Sequence, residues 1–126
     1  MSQFVDTGSK TFTAGAAIAK DLRVTLTSGK LAVAGLAVKE IGTLEEASFA
    51  DLDVRSVRLR TAAGTTKMVA AGAIAVGAEV HTAASGKVND TATATSYLVG
   101  TALEAASADG DVIEVLRNSH GDTANA

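Results

Sequence analysis

"VGTALEAASADGDVIEVLR" (residues 99–117) nearly repeats "IGTLEEASFADLDVRSVRL" (residues 41–59). Set side by side, Gly42, Thr43, Glu46, Ala47, Ala50, Asp51, Asp53, Val54 and Val57 recur as Gly100, Thr101, Glu104, Ala105, Ala108, Asp109, Asp111, Val112 and Val115. The duplication reaches further back. "KTFTAGAAI" (10–18) matches "KMVAAGAI" (67–74), and "TLTSGKL" (25–31) matches "TAASGKV" (82–88), at a shift of 57 residues there and 58 in the opening pair. Near-constant spacing marks one supersecondary unit used twice. The units run from about Lys10 to Arg60 and from about Lys67 to Arg117, with "TAAGTT" (61–66) between them. Two copies are too few for a solenoid, so the expectation is one pseudo-symmetric body in which each half covers the other's apolar face.

Inside each unit the period is nearer two than 3.6. Leu22, Val24 and Leu26 alternate with Arg23, Thr25 and Thr27, the pattern of a half-buried strand. "TSGK" and "ASGK" place Gly where a tight hairpin wants positive φ. "DVRSVRLR" and "DVIEVLR" are β-branched runs that close each unit. The spacing predicts an all-β fold: a small compact β-barrel or sandwich built from two pseudo-symmetric repeats. One or two short helical turns are the alternative at 44–51 and 102–108, because "TLEE" (43–46) and "TALE" (101–104) fit a capping box. A strand leaving at Glu104 into the turn residues "SADGD" is the preferred reading. The helix has more support in the first unit, where Asp51-Leu52 replaces the Gly-bearing turn.

Composition narrows the function. At 126 residues the chain is expected to form a single domain, 1–126, with arms at 1–9 and 118–126 outside the repeat. Hydrophobic residues make up 47% but aromatics only 3%, so the core must be built from small side chains on closely approaching strands. The absence of Cys rules out disulfides and any Cys-based metal site or nucleophile. No apolar run approaches the roughly 20 residues that span a membrane. The start "MSQFVDTGSK" lacks the basic and apolar regions of a signal peptide, so a soluble protein made in the cytoplasm is expected. A net charge of −3 argues against nucleic acid, which demands a basic stripe.

No motif makes the case for an enzyme. His81 and His120 have no H-x-x-x-H or H-E-x-x-H partner and read as surface or strand-face residues. Asp51/Asp53 and Asp109/Asp111 form a repeated D-x-D, too few oxygens for calcium and ordinary before a strand. Neither "SGK", at 28–30 or 85–87, has the leading Gly or trailing hydroxyl of a phosphate loop. Glu45 and Glu46 are adjacent and point to different sides, and no Ser stands in G-x-S-x-G. No catalytic residue, metal or cofactor is expected. What remains is the arms. The C-terminal one is polar throughout and is expected to fray. The N-terminal one carries Phe4 and Val5 in a chain with only three Phe. These two are either a docking pair or a cover for the protein's own barrel.

In order and spacing, these pieces resemble the phage capsid cement, or head decoration, proteins. The resemblance rests on "IGTLEEASFADLDVRSVRL" and on "AAGAIAVGAEVHTAASGKVNDTATATSYLVGTALEAASADGDVIEV", and it covers 41–117 better than 10–40. One departure is "ASFADLD", expected to lengthen and grease the usual small turn. The resemblance implies a β-rich domain on the outer capsid surface of a virion, made in the bacterial host. There it would bind the phage major capsid protein as a homotrimer where capsomers meet and clamp neighbouring coat subunits. A receptor-binding or fibre-type β module of a phage virion is the alternative, although such a module calls for the aromatic or Arg-rich surface scarce here.

Overall fold

The computed structural model describes residues 8–117, 124 and 125. Its strands are β1 (Ser9–Thr13), β2 (Arg23–Thr27), β3 (Lys30–Val33), β4 (Gly42–Leu44), β5 (Val54–Leu59), β6 (Thr65–Val69), β7 (Glu79–Thr82), β8 (Val88–Asn89), β9 (Leu98–Ala102) and β10 (Val112–Arg117). They form two five-stranded antiparallel sheets, ordered β1-β5-β4-β2-β3 and β6-β10-β9-β7-β8. The second order is the first advanced by five strands, so the sequence repeat is a repeat of topology. The fold is all-β and pseudo-symmetric, a two-sheet sandwich arrangement rather than a closed barrel.

The ladders fix the register of the repeat. Phe12 opposite Arg55 corresponds to Met68 opposite Ile113, and Val24 opposite Gly42 to Val80 opposite Gly100. The shift is therefore 56 residues at Phe12/Met68, 57 at Leu31/Val88, past the longer second hairpin, and 58 at Gly42/Gly100. Matching Lys10 with Lys67 by sequence is out of register by one. Lys10 lies opposite Val57, whereas Lys67 lies opposite Glu114. A one-residue slip moves a side chain to the other face of a sheet, and the two lysines occupy opposite faces.

Each unit buries its own apolar side chains, contrary to the expectation of one shared core. Ile18, Val24, Leu31, Leu44 and Val57 form one cluster. Met68, Ile74, Val80, Val88, Val99, Ile113 and Val115, with three alanines, form the other. The reason is curvature. After β1 the chain crosses to the far edge of its own sheet, where Ala14 bridges Leu31, and Ala70 bridges Val88 in the second unit. Each sheet curls around its own side chains until a single bridge joins its edges. Small residues allow the curl. A Cβ on Gly42 would collide with the Arg58 carbonyl, and one on Gly100 with the Leu116 carbonyl.

The helical alternative at 44–51 and 102–108 does not occur. Thr43 and Thr101 lie inside strands, so neither can cap a helix. Beyond Leu44 and Ala102 the ladder continues: Glu45 donates to the Ser56 carbonyl and Leu103 to the Glu114 carbonyl, each at about 3 Å. Ser48 then bridges Ile18, and Ala106 bridges Ile74. Long-range pairing outcompetes a cap worth about 1 kcal/mol. The helical turn found among the described residues is a short 3-10 turn, Ala84–Gly86, inside the second hairpin.

Candidate interaction surface

The two units are joined by polar groups. On β2, Arg23 stands where Glu79 stands on β7, and the guanidinium is fully buried. Its Nε donates to the Lys87 carbonyl at 3.0 Å and its Nη2 to the Ala83 carbonyl at 2.6 Å, both in the second unit. Further donations reach the carbonyls of Ala34, Gly35 and Val38, and Nη1 meets Glu40 Oε1 at 3.1 Å. Arg117, at the end of β10, holds the other Glu40 oxygen at 2.5 Å. The second hairpin also inserts: Gly86 donates to the Ala34 carbonyl and packs against Val33 and Leu22. Gly29, its counterpart, has open space around it. Symmetry is broken where the units dock. Burial alone would raise the Glu40 carboxyl, but Arg117 and Arg23 together hold it below the ordinary carboxylate range. The alternation placed Arg23 on the polar face of its strand, yet it is fully buried while Leu26 is 42% exposed, and sequence reasoning passed over Glu40 and Arg117. The signal was a cation in an apolar alternation, "DLRVTL", which carries no spacing rule.

A cleft of about 470 Å³ is walled by both units, and its lining includes Lys20, Arg58 and Lys67 together with Glu45, Glu104 and Glu114. All three carboxylates are engaged, Glu104 by the Glu114 backbone N–H at 2.9 Å. Ser56 donates to Glu45 at 2.5 Å and Thr65 to Glu114 at 2.6 Å. Asp21 lines the same cleft, and burial raises its carboxyl despite the nearby Lys20 and Lys67.

The repeated D-x-D builds two matching turns. Asp53 Oδ2 accepts from the backbone N–H of Phe49 at 2.8 Å and of Ala50 at 3.1 Å. Asp111 Oδ2 accepts from Ser107 at 2.8 Å and Ala108 at 3.1 Å. These bonds, led by Phe49 and by Ser107, hold both carboxyls below their usual value. Asp51 pairs with Lys30 at 3.0 Å, and Asp109 with Lys87 at 2.7 Å. The two "SGK" lysines therefore close the two D-x-D turns from the neighbouring hairpin. Among the described residues, no group of three or more His, Cys, Asp or Glu could hold a metal ion. "ASFADLD" does not lengthen the turn. It keeps the second unit's conformation, with Leu52 at φ 77° where Gly110 sits at φ 96°. It does grease it: Phe49, Leu52 and Val54 are 77%, 64% and 59% exposed. The Arg55 guanidinium lies over the Phe49 ring, 5.9 Å from its centroid.

His81 is a strand-face residue, buried on β7, with Asn125 Nδ2 lying 3.1 Å from its Nδ1. Asn125 also donates through its backbone to the Ser96 carbonyl at 2.7 Å, and Ala124 bridges Tyr97. The expected fraying of the C-terminal arm therefore does not extend to 124–125, which dock on the second unit. His120, Phe4 and Val5 lie outside the described residues.

A model of the phage cement protein family matches residues 4–117. The chain belongs to the phage cement protein family. The match takes in both units, and the family is structural rather than enzymatic, so this cement protein is a structural component of a phage virion. No curated protein matches the sequence. Among solved structures, the N base of the head fiber gp8.5 of bacteriophage phi29 has the same fold as the cement protein. It is 17% identical over 87% of this chain and 92% of that chain, with a TM-score of 0.71.

Proposed function

We propose that the chain acts as one decoration domain, 1–126, which binds the outer surface of a phage head and clamps adjacent major capsid protein subunits. It is made in the host cytoplasm and assembles as a homotrimer on the shell. The observation that carries this reading is the junction. Two self-contained β-units are locked by a buried Arg–Glu–Arg cluster into one body, with an apolar tip on the first unit's turn. A clamp requires stiffness and more than one contact surface, and no reaction. Many weak contacts made at once on an ordered shell add up by multivalency, and symmetric self-association matches the symmetry of the shell.

The head-fibre neighbour favours a second reading, a fibre-type module that seats another structure on the head. Imaging undecorated heads with and without the purified protein separates the two. Density at every local threefold position, with higher resistance of the heads to heat, supports the clamp. Density at isolated sites such as a portal or tail tip would sink it. Light scattering of the free protein is expected to show weak trimerisation or none.

A further inference from the structure

We infer that the first-unit hairpin tip carrying Phe49 and Leu52 is the apolar contact by which this protein seats on a coat subunit, an assignment that rests on the cement reading above. The second unit supplies an internal control. Its turn has the same backbone, the same Asp-capped amides and the same Lys–Asp pair, yet Ser107 and Gly110 stand where Phe49 and Leu52 stand. The turn therefore needs neither side chain. Leu52 even occupies left-handed backbone that a branched L-residue resists. A third difference lies beneath the tip. Ile113, buried in the second core, is replaced by Arg55, which leaves the first core to bond the Ala47 carbonyl at 2.8 Å and cover the Phe49 ring. Arg55 thus lies against the ring in the free protein, while the ring stays largely exposed.

The size of the tip selects the occupant. Phe49, Leu52 and Val54 together expose on the order of 400 Å² of apolar surface, about half of what one partner in a stable pair buries. That is too little to hold a second free copy of this chain. It is sufficient for one of many contacts on a shell that presents its sites in an array. The partner chemistry is an apolar depression on the outer face of the coat protein.

The test converts the first tip into the second, with the double variant Phe49→Ser, Leu52→Gly. Binding of the wild type and the variant to undecorated heads is measured by co-sedimentation, alongside thermal melting of each free protein. A loss of head affinity of at least tenfold at an unchanged or higher melting temperature is expected. Equal binding of wild type and variant would overturn the tip assignment and leave the cement reading standing. So would unchanged affinity at single sites with loss only of clustering, since the tip would then touch a neighbouring copy. Wild-type protein that leaves the heads bare would instead end the cement reading, and the coat partner with it.

Discussion

Arg23 and Glu40 meet at 3.1 Å with both side chains sealed from water, 0% and 4% exposed. With Arg117 on the other carboxylate oxygen, the cluster carries two positive charges and one negative at the seam between the units. Glu40→Gln removes the only charge balancing the two guanidiniums in this cluster. Breaking such a pair from one side costs about 3–5 kcal/mol, a large share of a typical domain's stability. Urea unfolding should show that loss as a lower midpoint. A variant unfolding within about 1 kcal/mol of wild type would mean that water reaches the cluster.

The same carboxylate sets an acid limit. Its folded pKa is depressed relative to an ordinary value of 4.5, so its contribution is complete above that pH and disappears as pH falls through the lower folded value. Asp53 and Asp111, also depressed, act in the same direction from 3.8 downward, while Asp21, raised by burial, opposes them. Melting temperature should fall steadily below about pH 4.5, and Glu40→Gln should flatten the upper part of that slope.

Leu52→Gly alone is expected to stabilise the free protein. Left-handed backbone costs a branched residue about 1–2 kcal/mol, and the added freedom of Gly in the unfolded chain returns about half of the gain. A net rise of about 0.5–1 kcal/mol should appear in urea unfolding. Gly110→Leu should show the reverse.

Gly100→Ala is expected to be severe, because the new methyl would collide with the Leu116 carbonyl of the neighbouring strand. The ladder must open or the strand must shift, at a cost of about 3 kcal/mol or more. Gly42→Ala should behave alike against Arg58. If either variant expresses and melts like wild type, the two strands are not paired in this register.

Phe4 and Val5 are proposed to dock on coat or on a neighbouring cement subunit. Deleting residues 2–7 spares Gly8, whose carbonyl accepts from Leu59. The deletion should leave the melting temperature of the free protein nearly unchanged while weakening head binding, since burying one Phe is worth about 1.5–3 kcal/mol per copy. A strongly lowered melting temperature with binding intact would make the arm part of the folded body.

Much of the architecture was local and therefore legible. Period-two alternation at Leu22, Val24 and Leu26 marked a strand, though not its buried face; with Ser-Gly at both hairpins and the Asp-capped turns it acts within a few residues, so the all-β fold and its duplication could be read along the chain. The order and spacing of those strands and turns carried the resemblance to the family. Where each apolar face went was not legible. The crossing from Ala14 to Leu31 closes each unit on itself, and that choice depends on curvature permitted by Gly42 and Gly100 against strands sixteen or more residues away. Arg23 and Glu79 occupy equivalent strand positions, yet one is buried at the seam and the other exposed. By itself, the sequence determined strands, turns and their duplication, because hydrogen-bond geometry and backbone preference are short-range. Only the tertiary structure decided which copy of each repeated position became core, seam or surface, because burial is settled by what the other half of the chain places above it.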